Sequence, residues 1–284
     1  MNTLLATFVT GLVTDENEDF YFVQKDGQTF ALSKEEGAFQ LGQAVTGFAY
    51  SDMKQRLRLT TKPVSATQTD FGWGIVTEVR KDLGIFLDTG LPDKEVVVSL
   101  DILPELKELW PKKGDQLYVR YHVDKKDRIW ASPAFPEDFQ KLAGPAYDNM
   151  QNQELRAIVY RLKLNGTFVY LPDNNMLGFI HPSERYTEPR LGELVDVRVI
   201  GLREDGVLYL SMKPRSYEAI SDDAQMILAY LNQSATKSMP YTDKSSPEEI
   251  KQLFGISKGQ FKRALGHLMK QKLIEQVDGK TNLL

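Results

Sequence analysis

Aromatic side chains recur at alternate positions in two neighbouring stretches of the second half of the chain. The first stretch contains Phe168 and Tyr170, and the second contains Phe179 and His181. Alternate residues of a β-strand point to the same face, so these four rings are predicted to share a solvent-facing surface. Stacking on the bases of a single-stranded nucleic acid explains such a surface, at about 1–3 kcal/mol per base. Packing within a core or between domains is the alternative explanation.

The region around these rings is predicted to form a small barrel of five strands. Its strand-like runs are short, alternate with period 2, and are bounded by Gly, Asn, Pro or Asp. The runs lie at 157–159, 165–170, 178–184, 191–199 and 207–213. The alternation turns Val169 and Ile180 into the barrel and the aromatic rings out of it. The pattern predicts that neighbouring strands of the barrel run antiparallel.

Four motifs in this region resemble the S1 RNA-binding domain, a five-stranded OB-fold barrel. They are Gly-Thr-Phe-Val from Gly166, Gly-Phe-Ile-His-Pro-Ser-Glu from Gly178, Leu-Gly-Glu-x-Val-x-Val-x-Val from Leu191, and Leu-Ser-Met-Lys from Leu210. The resemblance implies that the face formed by the second and third strands binds RNA. The chain departs from the family pattern at Asn165, where an aromatic residue usually precedes the first glycine.

Two weaker copies of the same strand pattern come earlier in the chain. They predict barrels over residues 1–62 and 63–142, followed by the third barrel over 143–215. The sequence leaves two roles open for the first copy, which either contacts RNA or serves as a scaffold. In the second copy Phe86 takes the position of Phe168. The sequence leaves two roles open for Trp73, which either stacks on a base or packs in the core. Residues 133–152 contain Pro and Gly and are predicted to form a connector with a helical turn near 137–142. Such a connector is expected to let the third barrel move relative to the first two.

After Pro214 the apolar period changes to that of helices. Ser246-Pro247 is a strong helix start, and Ser257 is predicted to cap a further helix that runs to Lys272. Asp278-Gly279 then indicates a β-hairpin. Three helices followed by a hairpin predict a winged helix over 216–284. The predicted fold is therefore mainly β, with three S1-type OB-fold barrels followed by an α/β winged-helix domain.

Basic side chains are concentrated between Ile250 and Ile274, where no acidic residue occurs. Such a helix suits phosphate contact, although an ordinary solvated face is the alternative, and charge alone gives no sequence specificity. The candidate phosphate-binding residues are Lys258, Lys262 and Arg263 here, and Arg161 and Lys163 in the third barrel.

Composition limits the other classes of function. The chain has 284 residues and no cysteine, and its three histidines, at 122, 181 and 267, fall in different modules. No catalytic motif and no metal-ligand spacing occurs, so neither an enzyme nor a cofactor is predicted. No apolar run approaches the about 20 residues that span a bilayer, and no secretory signal is visible, so a cytoplasmic protein is expected. The net charge of −4 predicts modest, salt-sensitive affinity for nucleic acid.

The order of the modules, with the runs 94–98 and 254–265, resembles the conserved virulence factor B (YitL-like) family of Gram-positive bacteria. The resemblance covers essentially the whole chain. It implies an RNA-binding protein whose barrels and winged helix share the ligand and which affects the expression of virulence genes. The leading hypothesis is a non-enzymatic regulator that binds single-stranded RNA. The alternatives are a DNA-binding transcriptional regulator that uses the winged helix, and a protein-interaction scaffold.

Overall fold

The computed structural model describes residues 2–146, 148–214 and 221–284. These residues fall into two compact units that divide between Lys213 and Pro214. The predicted domain boundary at 215/216 lies outside the described residues.

The first unit contains three closed five-stranded barrels, which confirms the predicted fold class. In every barrel the neighbouring strands follow the order first, second, third, fifth, fourth. The strands of the first barrel are β1 (Thr7–Glu16), β2 (Phe20–Lys25), β3 (Gln28–Ser33), β4 (Ala44–Ser51) and β5 (Leu57–Thr60). Those of the second are β6 (Gly72–Arg80), β7 (Gly84–Asp88), β8 (Val96–Ser99), β9 (Gln116–Val123) and β10 (Ile129–Pro133). Those of the third are β11 (Glu154–Lys163), β12 (Gly166–Leu171), β13 (Met176–Ile180), β14 (Leu194–Leu202) and β15 (Leu208–Ser211).

Each barrel closes through one parallel strand pair. β3 pairs in parallel with β5, β8 with β10, and β13 with β15. The expectation of antiparallel neighbours was wrong for these pairs, because alternation assigns each residue to a face but does not give the direction of the adjacent strand.

The first strand of every barrel carries a β-bulge at the same place. The pairing with the second strand shifts between Val13 and Asp15, between Val76 and Glu78, and between Val159 and Arg161. A bulge inserts one extra residue and bends the strand, which re-aims the side chains around it. The extra residues are Thr14, Thr77 and Tyr160.

The barrel interiors hold the inward-facing residues of the alternating pattern. Val169 and Ile180 are completely buried, as predicted. The first two barrels share one continuous apolar core, within which the ring centroids of Phe48 and Tyr121 lie 5.9 Å apart. The third barrel has a core of its own.

The connector between the second and third barrels is packed against both of them. It contains the short helix α1 (Pro136–Leu142), near the position predicted for a helical turn. This helix buries Phe139, whose ring stacks on Tyr160 of the third barrel at 4.1 Å and lies 5.5 Å from Tyr118 of the second. A buried aromatic ring contributes strongly to packing. The freely moving connector expected from its Pro and Gly content is therefore not what the structure contains.

Tyr170, which was predicted to stack on bases, and Trp73, for which stacking and core packing were both left open, belong to this inter-barrel packing. The rings of Trp73 and Tyr170 stack on each other at 5.6 Å, and both contact Phe139. Tyr170 is only 3% exposed, and its hydroxyl donates to Asn175 Oδ1 at 2.5 Å. The prediction that Tyr170 faces solvent was wrong. Alternation places it on the outer face of the third barrel, but the second barrel covers that part of the face.

A bidentate ion pair also joins the second and third barrels. Arg190 Nε and Nη2 donate to the two carboxylate oxygens of Asp115 at 2.7 and 2.9 Å. The hydrogen bond to Asp115 raises the pKa of Arg190 above its ordinary value. The backbone N–H of Gln116 donates to the carbonyl of Gly192 at 2.9 Å beside it. Paired hydrogen bonds of this kind fix orientation as well as distance.

The second unit is the predicted winged helix. Its elements are α2 (Asp222–Gln233), β16 (Ser238–Met239), α3 (Pro247–Phe254), α4 (Lys258–Lys270), β17 (Ile274–Val277) and β18 (Lys280–Leu283). Ser246 and Ser257 cap α3 and α4, each in a reciprocal capping box. The short strand β16 was not predicted, and it extends the hairpin to a three-stranded sheet. Two residues are too few for alternation to be visible.

We expect Phe139→Ala to lower the free energy of unfolding of the first unit by about 3–5 kcal/mol, because the substitution leaves a cavity between two barrels. Urea denaturation followed by tryptophan fluorescence measures this, since Trp73 lies beside Phe139. Phe135→Ala is the matched control, since Phe135 is exposed and immediately precedes the same helix. Equal denaturation midpoints for the two variants would show that Phe139 does not hold the barrels together.

Candidate nucleic-acid interface

Three aromatic rings form a continuous row across the outer face of the third barrel. Phe168 of β12 is directly opposite Phe179 of β13, which in turn is opposite Tyr209 of β15. The ring centroids lie 5.1 Å apart for Phe168 and Phe179, and 6.3 Å apart for Phe179 and Tyr209. We call Phe168, Phe179 and Tyr209 the aromatic row. Cross-strand aromatic pairs of this kind stabilise the sheet that carries them.

The rings of the row differ in exposure. Tyr209 is 41% exposed, Phe168 is half-buried, and Phe179 is only 8% exposed. Phe179 lies on the outer face, as predicted, but the prediction that it faces solvent freely was wrong. Its ring lies over Gly166, where an added Cβ would be 2.4 Å from Phe179 Cζ. A glycine at this position therefore leaves the space that the central ring occupies.

Basic side chains lie beside the row. Lys163 Nζ is 5.9 Å from the ring centroid of Phe168, and the guanidinium carbon of Arg203 is 5.9 Å from the centroids of both Phe179 and Tyr209. Arg161, half-buried on β11, is the cross-strand partner of Phe168. These distances permit cation–π attraction and place positive charge where phosphates would follow stacked bases.

His181 directly follows β13, the strand that carries Phe179, and it has a local structural role as well. Its ring is exposed, and Nδ1 accepts a hydrogen bond from the backbone N–H of Ser183 at 3.2 Å. This contact caps the short 3₁₀-helix Pro182–Glu184.

The three barrels share one register, so equivalent positions of this face can be compared directly. Four positions, on the first, second, third and fifth strands, are consecutive cross-strand partners. In the third barrel they are Arg161, Phe168, Phe179 and Tyr209. In the second they are Glu78, Phe86, Val97 and Trp130. In the first they are Asp15, Phe22, Ala31 and Arg58.

The second barrel has an interrupted version of the row. Phe86 occupies the position of Phe168, as predicted, but it is buried, and Val97 replaces the central ring. Trp130 Nε1 donates a hydrogen bond to Asp124 Oδ2 at 3.2 Å, so the polar edge of the Trp130 ring is engaged within the protein. Glu78 stands at the position of Arg161 and would repel a phosphate.

In the first barrel this face is used for internal ion pairing. Arg58 is buried and donates to Asp52 Oδ2 at 3.1 Å. Asp52 also accepts hydrogen bonds from Arg56, from both its backbone and its side chain. Burial alone would raise the pKa of Asp52, but these hydrogen bonds outweigh burial and lower it to about 2. A carboxylate held this way keeps Arg58 engaged within the protein.

In the second unit the predicted basic residues lie on the outer side of α4. Lys262 and Arg263 are exposed and Lys258 is half-exposed, while Phe261 and Leu265 on the opposite side are completely buried in the core. Among the described residues, no carboxylate comes within ion-pairing distance of Lys258, Lys262 or Arg263. This surface can therefore offer three positive charges to a polyanion.

Sequence reasoning missed Tyr209 and Arg203. A signal for Tyr209 was present, because Leu208 and Leu210 alternate inward and leave Tyr209 outward on the fifth strand. That this strand lies beside β13 follows only from the parallel closure of the barrel. Arg203 is separated from the aromatic positions in sequence and reaches them through the turn between β14 and β15.

Two other features are absent from the described residues. No group of three or more His, Asp or Glu side chains there is placed to hold a metal ion. No helix among the same residues is long and apolar enough to cross a membrane.

The fold and this face define a class: the chain is a multidomain protein with S1 barrels and a winged helix, modules of nucleic-acid-binding type. Four family models match it in order. They are an S1 domain at 7–62, the CvfB first S1-like domain at 71–132, the virulence regulatory factor CvfB second domain at 139–214, and the CvfB-like winged helix domain at 225–283.

The chain belongs to the conserved virulence factor B family. It is 39% identical to conserved virulence factor B of Staphylococcus epidermidis (strain ATCC 12228) over 250 residues, which cover 88% of this chain and 83% of that protein. It is 41% identical to the protein YitL of Bacillus subtilis (strain 168), over 95% of this chain and 91% of that protein. A crystal structure of a multidomain protein with nucleic acid binding domains from Streptococcus pneumoniae TIGR4 is similar over 100% of this chain and 99% of the other, with a TM-score of 0.74 and 69% identity. The family resemblance stated from the sequence is confirmed.

We expect Gly166→Ala to displace the ring of Phe179 and break the aromatic row, because the new Cβ and the ring cannot both occupy the space between them. The backbone at Gly166 has a φ of 147°, so an L-residue there is strained as well. A crystal structure of the variant measures the ring position directly. Asn165→Ala, at the exposed neighbouring position, should leave the row unchanged. A Phe179 ring still in contact with Phe168 in Gly166→Ala would contradict this account.

Proposed function

We propose that this protein binds single-stranded RNA through the aromatic row and acts as a non-enzymatic, post-transcriptional regulator of gene expression, including that of virulence genes. The observation that carries the proposal is the continuous row of three rings beside Arg161, Lys163 and Arg203. Among the described barrel faces, that combination occurs in the third barrel alone.

The chemistry of the row favours unpaired bases as the ligand. Bases of a single strand are free to stack on protein rings, whereas those of a duplex are already stacked on each other. The exposed ring of Tyr209 and the half-buried ring of Phe168 offer two such platforms, and Phe179 supports both from between them. Lys163 and Arg203 then neutralise the phosphates that join the bases. Phe86, Trp73 and Tyr170 take no part in this proposal, because the protein itself covers them or uses them between barrels. His181, exposed beside the row, remains a candidate contact.

The winged helix contributes phosphate contacts in this proposal. Lys258, Lys262 and Arg263 are accessible and unpaired within the described residues, so they can replace counterions along a backbone. Such contacts add affinity but carry no sequence information.

The names of relatives support the regulatory part. The staphylococcal relatives are named conserved virulence factor B, and the pneumococcal structure is described as having nucleic acid binding domains. The non-enzymatic part is supported by the matching domain models, which are S1-like, virulence-regulatory and winged-helix domains.

A second candidate is regulation of transcription through duplex DNA. The observation that favours it is the exposed basic side of α4, since the equivalent helix of helix-turn-helix proteins lies in the major groove. This candidate predicts tighter binding to duplex DNA than to single strands, and no dependence on the aromatic row.

We expect the double substitution Phe168→Ala/Tyr209→Ala to weaken binding of single-stranded RNA by about 2 kcal/mol or more, because two stacking platforms are lost. Fluorescence anisotropy with labelled poly(U), poly(A) and a duplex DNA, at two salt concentrations, measures the affinities.

The first two barrels provide a matched control for this double variant. Phe22 and Trp130 occupy the positions equivalent to Phe168 and Tyr209, and both are half-buried, as Phe168 is. Phe22→Ala/Trp130→Ala should retain wild-type affinity. If the protein binds duplex DNA more tightly than RNA, and Phe168→Ala/Tyr209→Ala binds with wild-type affinity, the winged helix is the nucleic-acid-binding surface and the proposal is wrong.

We expect Lys262→Gln/Arg263→Gln to weaken binding to all sequences alike and to reduce the slope of log affinity against log salt by about 1 to 2, because each lost phosphate contact removes one released counterion. Salt titrations monitored by anisotropy give the slope. Lys244→Gln is the control, since Lys244 is an exposed lysine of the same unit. An unchanged slope would exclude these two side chains from phosphate contact.

A further inference from the structure

A groove of about 920 Å³ runs between the second and third barrels. We call it the inter-barrel groove and define it by Leu106, Phe135, Arg120, Tyr160, Arg161 and Lys163, which belong to its lining. Phe139 and Trp73 of the inter-barrel packing also belong to its lining. Separate family models match the two barrels, at 71–132 and 139–214.

The groove exposes large apolar side chains to solvent. Leu106 is 62% exposed, and Phe135 and Leu164 in the same lining are at least as exposed. Isolated exposed apolar residues are common, but several that converge on one concave surface beside a domain junction are typical of a binding site. The interior of the groove therefore favours a ligand with flat or apolar surfaces.

The charged residues of the lining favour an anionic ligand. Its basic members are Arg120, Arg161, Lys163 and Arg185, and its acidic members are Glu105 and Glu188. Arg185 and Glu188 pair with each other at 3.0 Å, which leaves the remaining charge of the groove positive. The whole chain carries a net charge of −4, so this surface departs in sign from the average.

The inter-barrel groove is continuous with the aromatic row. Tyr160 lines the groove, and its ring centroid is 6.4 Å from that of Phe168. Lys163 also lines the groove, while its Nζ lies over the Phe168 ring. Tyr160 is the extra residue of the β11 bulge, where the other two barrels have threonine, so the bulge extends the ring surface toward the second barrel.

We propose that the inter-barrel groove receives the continuation of the single strand that stacks on the aromatic row, and that it binds bases on its apolar lining with phosphates near Arg120 and Arg161. This inference rests on the proposed function. Apolar surface, positive charge and continuity with the row together fit a nucleic-acid strand. The strand bound by the protein is therefore longer than the one that the third barrel alone contacts, and two barrels set its length.

The test compares two strand lengths on the full chain. Labelled single-stranded RNA of about four nucleotides covers one stacking face, whereas one of about sixteen also reaches the groove. The groove variant is Leu106→Ser/Phe135→Ser. Both side chains are exposed, and serine is a favourable residue at the position that precedes α1, so the fold is retained. Leu41→Ser/Met53→Ser is the matched control, since Leu41 is also 62% exposed and both residues lie in the first barrel.

We expect the groove variant to bind the long RNA about tenfold more weakly than wild type, the order expected for one lost base contact, with unchanged affinity for the short RNA. The control variant should bind both lengths as wild type does. Wild-type affinity of the groove variant for the long RNA, with binding still lost in Phe168→Ala/Tyr209→Ala, would overturn this inference and leave the proposed function standing. The groove would then belong to another class of ligand, such as a peptide. Absence of single-strand binding by the wild-type chain would overturn both.

Discussion

The stacking of Phe139 on Tyr160 is the contact on which the arrangement of the second and third barrels depends. The two ring centroids are 4.1 Å apart, closer than any other aromatic pair described in this chain. Phe139 comes from the connector and also lies against Tyr118 of the second barrel, while Tyr160 comes from a bulge in the third barrel and lies beside Phe168. These two rings together therefore link the connector, both barrels and the aromatic face. Burial of Tyr160 raises the pKa of its hydroxyl to about 12. The position of the aromatic row beside the inter-barrel groove follows from this contact.

The three barrels show how one fold takes on different roles at equivalent positions. All three share strand order, parallel closure and the bulge in the first strand. The four face positions run from Arg161 to Tyr209 in the third barrel, but they contain Glu78 and Val97 in the second, and Asp15 and Ala31 in the first. The barrel scaffold depends on the inward residues, so the outward residues are free to differ. Only the third barrel combines an unbroken ring surface with a basic first strand among the described residues.

Much of the architecture was predictable because it depends on local patterns. Period-2 runs bounded by turn residues gave the strands, and serine caps with Pro247 gave α3 and α4 near their observed limits. The parallel closure and β16 were missed, since strand direction and two-residue strands leave no periodic signal. For the face, alternation correctly placed Phe168 and Phe179 on the outside. Alternation did not predict the burial of Tyr170, because a neighbouring barrel covers that residue. It also did not place Tyr209 in the row, because the strand of Phe179, which lies beside it, is distant in sequence.

The sequence by itself determined the module types, the inward and outward sides of each strand, and the family, since all of these follow from residue type and spacing along the chain. The tertiary structure decided which outward rings remain available to a ligand. Trp73 and Tyr170 lie on outer faces by alternation, yet they stack on each other between barrels. Tyr209 and Arg203 reach the row only when the barrel closes. The physical reason is that exposure depends on which surfaces meet, and such contacts join residues far apart in sequence.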